Sequence, residues 1–160
     1  MLVNLEISRE SILHSVKLQS HYFGEYAKEG GDNVATLAQA HDGDDDVLNK
    51  FIQTSAARVI DILTPYLKTA DYSEGELMSE GELLNTFLYA FDFPANFDKN
   101  QMLLESIKDY MINYTLYRWC VLTKKNESQT YEIEMSRSED GLKKRVNQRS
   151  SPVRRKLQPF

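Results

Sequence analysis

A single cysteine, Cys120, leaves this chain no internal disulfide to form, and it points to a reducing compartment. Long apolar runs are missing too. The longest, Phe87 to Phe91, is five residues, against the ~20 that a membrane helix needs. Glu6, Arg9 and Glu10 interrupt the short apolar stretches near the start, which is unlike a signal peptide. Nucleotide-binding glycine patterns are absent, as are H-E-x-x-H and C-x-x-C. What remains is ample for folding. With 160 residues, 41% hydrophobic and 11% aromatic, one domain can form a core without a metal or disulfide staple.

Charge is unevenly spread. Residues 1–142 hold 12 of the 19 Lys and Arg but all 24 Asp and Glu. The other seven bases, Lys143, Lys144, Arg145, Arg149, Arg154, Arg155 and Lys156, occupy residues 143–160 without one acid. An acidic body repels nucleic acid, whereas a basic end suits phosphates or an acidic protein surface.

Periodicity predicts a mainly α protein. Ser8 is placed to cap a first helix reaching about Phe23, with Ile7 stapled onto Ile12. Asp32 caps a short helix bearing Val34 and Leu37. Val47, Leu48, Phe51, Ile52, Ala56, Val59, Ile60 and Leu63 mark a core helix that Pro65 ends. The acids before it, Asp42 to Asp46, fail as a calcium loop, because positions six and twelve from Asp42 are Val47 and Gln53. They suit a helix N-terminus instead.

Phe87, Tyr89, Phe91 and Phe93 then alternate with Leu88, Ala90 and Asp92, a strand pattern that Pro94 stops. Ser73-Glu74-Gly75-Glu76-Leu77-Met78 is echoed by Ser79-Glu80-Gly81-Glu82-Leu83-Leu84. These signals predict a β-hairpin over about 70–93, its first strand in 70–79. Its four aromatics either pack on the domain's own helices or form a subunit interface, and they are the interface candidates.

Phe97, Asp98, Gln101 and Met102 form a capping and stapling set for a long helix reaching about Thr123. Its stripe Leu103, Ile107, Tyr110, Tyr114, Tyr117 and Val121, with Ile112, Leu116, Trp119, Cys120 and Leu122 on other faces, marks the central buried helix. Tyr131, Met135, Leu142 and Val146 predict a last helix after Asn126, although Tyr131, Ile133 and Met135 also suit a strand. The expected organisation is a helical domain over 1–148 and an extended basic tail over 149–160.

Catalytic and metal chemistry find no footing. His14 and His21 share a helix face with Glu10 but spread over too many turns for one ion. Cys120 falls within an apolar helix, where a thiol is packing. No cofactor or metal site is expected, and a non-enzymatic role follows.

From Tyr89 the chain meets a recognisable order. Tyr89-Ala90-Phe91-Asp92-Phe93-Pro94-Ala95-Asn96-Phe97-Asp98 runs from a strand into a P-x-N-F-D helix entry. Tyr110-Met111-Ile112-Asn113-Tyr114 and Leu116-Tyr117-Arg118-Trp119 follow, and Arg149-Ser150-Ser151-Pro152-Val153-Arg154-Arg155 lies near the end. With the acid-led helix from Asp44 to Leu63, this order resembles the head–tail connector, or adaptor, proteins of tailed bacteriophages.

The resemblance implies a mainly helical virion protein at the head–tail junction, made in the host cytoplasm. It implies a ring, with twelvefold symmetry expected, below the portal protein and against the next tail or adaptor ring. The genome would pass through without specific binding, and no membrane is involved. Arg149, Arg154, Arg155, Lys156 and Phe160 become the candidate docking residues of the tail. Other readings are a tail-completion ring protein and a small helical nucleic-acid-binding regulatory module.

Overall fold

The structure, a computed structural model, describes residues 2–26, 40–65, 84–93, 100–123 and 128–147. Among them, strand β1 (Leu2–Ser8) leads directly into helix α1 (Arg9–Tyr26). A 3₁₀ turn (Asp42–Asp44) opens helix α2 (Asp45–Leu63). Strand β2 (Thr86–Asp92), helix α3 (Asn100–Thr123) and helix α4 (Ser128–Asn147) complete the set. The described residues are mainly helical, as the periodicities predict, with one small two-stranded antiparallel sheet among them.

The sheet has an unforeseen partner. Strand β2 falls where the aromatic alternation puts it, but it pairs with β1 at the N-terminus. The expected first strand in 70–79 lies outside the described residues. The signal for β1 is in the sequence: Val3, Leu5 and Ile7 alternate with Asn4, Glu6 and Ser8, a period of two. Ser8 is therefore the last residue of a strand, and Ile7 reaches the core from the sheet.

Register explains the sheet's two faces. Val3 pairs with Phe91, Leu5 with Tyr89 and Ile7 with Phe87, and all six are buried. Asn4, Glu6 and Ser8 face away and are exposed, with Leu88 opposite Glu6. A one-residue slip would exchange these rows, so burial fixes the register. The Arg9 amide donates to the Asn85 carbonyl at 2.9 Å and the Arg9 guanidinium to the Asn85 side chain at 2.9 Å, extending the pairing to the start of α1.

Helix α3 is the hub. It packs against α1, α2, α4 and β1. Leu103, Ile107, Tyr110, Met111, Ile112, Tyr114, Leu116, Trp119 and Cys120 are buried along it, so apolar residues on several faces find cover. Toward its ends the helix is exposed, at Val121 of the expected stripe and at Met102 and Leu122 outside it. Met102 thus makes no core staple, and Phe97 and Asp98 lie outside the described residues.

Helix α2 buries Leu48, Ile52, Ala56, Val59 and Leu63. Val47, expected in that core, instead lies on the solvent side. Helix α4 resolves the last element as a helix, anchored by buried Leu142 and Val146 with Tyr131 and Met135 packed at the margin. The short helix over 32–38, the Ser-Glu-Gly duplication and Asn126 all lie outside the described residues.

Candidate functional site

The four interface candidates sit in the chain's own core. Phe87, Tyr89, Phe91 and Phe93 are each no more than 2% exposed. Phe91 stacks on Tyr89 at 6.4 Å and on Phe93 at 5.1 Å between ring centroids. The Tyr89 hydroxyl reaches the Ala56 carbonyl of α2 at 3.4 Å. These rings present no surface to a second subunit, which corrects their reading as an interface. The cause is the pairing with β1, which turns the aromatic row toward the helices. The docking candidates Arg149, Arg154, Arg155, Lys156 and Phe160 lie outside the described residues.

Two polar clusters stand out where helices meet. In the first, Lys17 of α1 lies 2.9 Å from Asp42 and 2.6 Å from Asp45. The hydrogen bonds it donates to Asp45 and then Asp42 hold the Lys17 ammonium above its ordinary pKa, and Lys17 in turn holds Asp42 below the usual carboxylate value. One turn on, buried Ser20 donates to the Lys17 carbonyl at 2.8 Å and accepts the Ala40 amide at 3.1 Å. The His41 amide donates to the Asp44 carboxylate at 2.9 Å. The acids that the sequence assigns to a helix start do serve there, and Lys17 ties them to α1.

The second cluster joins α2, α3 and α4. Arg58 lies 5.2 Å over the Tyr114 ring, and Arg118 lies 5.3 Å over Phe51 in the opposite sense. Burial and then Glu139 push the Tyr110 phenol up to about 12, with the nearby Arg58 guanidinium opposing them. Lys143, 2.6 Å from Glu139, is held above its ordinary pKa by that hydrogen bond. A phenol with so high a pKa stays neutral near pH 7, which suits it to packing and hydrogen bonding. Sequence reading placed Tyr110 on the core stripe but had no signal for Arg58 or Glu139, because their roles depend on helix pairing.

Elsewhere, chemical groups stay apart. Among the described residues, no three His, Cys, Asp or Glu side chains come together to hold a metal ion. His14 and His21 are exposed on α1, and Cys120 is buried in α3. Burial, with Glu105 one turn away, raises the Asp109 carboxyl. No described helix is long and apolar enough to cross a membrane. Comparison with known protein families, characterised proteins and solved structures finds no match for this chain.

Proposed function

We propose that this chain is a structural virion protein, a head-to-tail connector that forms a ring below the portal of a tailed bacteriophage. The observation that carries the reading is the order of elements from Tyr89 onward. An aromatic strand enters a long central helix, and a base-only end follows. This is the order that resembles the adaptor proteins.

Charge supports it. An acidic body suits a wall past which DNA slides, because like charge discourages phosphate binding. The basic tail suits docking on the portal, the next ring or an adjacent copy, since each Arg can make paired hydrogen bonds to a carboxylate. In this role the protein works without a cofactor and its partners are proteins, itself included. Imaging virions whose copy of this chain carries a small fused tag tests the reading. Extra density at the head–tail junction, repeated around the axis, is expected. A tag that leaves no density there, in particles shown to contain it, overturns the assignment.

A further inference from the structure

Helix α4 carries two stripes that face opposite ways. Tyr131, Met135, Leu142 and Val146 turn inward, where α4 packs on α3. Thr130, Ile133, Arg137, Asp140, Lys144 and Asn147 recur at intervals of three and four, the spacing of a helix-pairing seam, and all are exposed. Ile133, 51% exposed, is the large apolar side chain among them.

Charge on α4 is antisymmetric about the point between Ser138 and Glu139. Stepping away from it in both directions, Arg137 matches Asp140, Glu134 matches Lys143 and Glu132 matches Arg145, an acid against a base each time. The inward stripe maps onto itself in the same way, Tyr131 onto Val146 and Met135 onto Leu142, so the outward face does too. Glu139, whose match is Ser138, lies off this face, on the side of Tyr110. Acids early and bases late also suit the helix's own dipole. Arg137 ahead of Asp140 runs against that order, yet it is what an antiparallel pair requires.

We propose that two copies of this chain pair through the outward faces of α4, antiparallel about a two-fold axis. The second copy's Asp140 then stands level with Arg137, and its Lys144 lays an aliphatic stem over exposed Ile133. Glu132 and Lys143, three turns apart, share one flank of the seam, and Glu134 and Arg145 share the other. Across a two-fold axis each flank meets its own copy. Glu132 thus comes within ~3 Å of level with Lys143 of the second copy, and Glu134 likewise with Arg145. A parallel pair in register would set like charges side by side.

Within one copy, Arg137 lies 2.6 Å from Glu134 and Lys143 lies 2.6 Å from Glu139. Side chains this exposed share or exchange partners at little cost, and their pairs are screened by salt. The contact is therefore reversible and salt-sensitive. A ring is built of head-to-tail contacts, whereas a two-fold contact closes at two copies. The pairing belongs to the free chain and does not depend on the connector reading.

Sedimentation velocity of the full chain over a concentration series, at low and at high salt, tests it. A monomer–dimer equilibrium that shifts toward monomer in high salt is expected. Asp140→Arg sets two arginines against each other and should need at least tenfold more protein to dimerise. Adding Arg137→Asp to it reverses both charges and should restore the parent's dimer, which a merely local effect on the helix would not do. If Asp140→Arg alters the circular dichroism spectrum, Glu132→Lys takes its place, with Lys143→Glu as the restoring change.

A chain that stays monomeric at every concentration overturns the pairing. So does a dimer indifferent to Asp140→Arg, or one that the double exchange fails to restore. A ring species without a dimer also overturns it, and leaves the connector reading standing.

Discussion

Ser20 shows how a single hydroxyl joins two stretches of chain. It is buried, donates to the Lys17 carbonyl and accepts the Ala40 amide that leads toward α2. Ser20→Ala leaves that amide without its acceptor and should cost about 1–2 kcal/mol, read as a lower urea midpoint with an unchanged slope. Tyr110 makes a different prediction. Its phenol has a pKa near 12 when folded, against an ordinary value of 10.0. Above pH 10 the unfolded chain gives up that proton first, so this group's contribution falls as pH rises toward 12 and is constant below 10. The slope approaches ~1.4 kcal/mol per pH unit in that window. Tyr110→Phe should remove this component, seen as a shallower loss of stability than the parent's between pH 10 and 12.

At the scale of elements, α4 buries Leu142 and Val146 near its C-terminal end, and Gly141 stands beside them inside the helix. A Cβ at Gly141 would meet nothing within 4 Å. Gly141→Ala should therefore stabilise the protein by about 0.5–1 kcal/mol, measured as a raised melting temperature. The long helices were legible because their apolar spacing repeats over many turns. The strand β2 was legible because four aromatics alternate between Phe87 and Phe93. Its partner was not, since β1 carries the same period in only seven residues, and the helix start that follows Ser8 drew Ile7 into the reading of α1. Pairing between residues 2–8 and 86–92 also leaves no local trace. The same limit hid Arg58 and Glu139, whose meeting with Tyr110 is set by three helices at once. The tail's base-only composition could be read directly, but composition does not say what it touches.

At the scale of the whole molecule, the described residues bury their own aromatic row. In the proposed ring the docking therefore falls to other surfaces, the base-only end first among them. A chain lacking 149–160 should keep the circular dichroism spectrum of the parent and lose its attachment to neighbours. Retained attachment, with loss only of salt-dependent affinity for duplex DNA, would transfer the tail's role to nucleic acid. The claim on which the rest depends is that this chain works as a ring. Mass photometry of the full-length chain, alone and mixed with the portal protein of the same phage, tests it most directly. A discrete species at a fixed multiple of the 18.5 kDa protomer, alone or seated on the portal, is the predicted result. A strict monomer in both samples would contradict it.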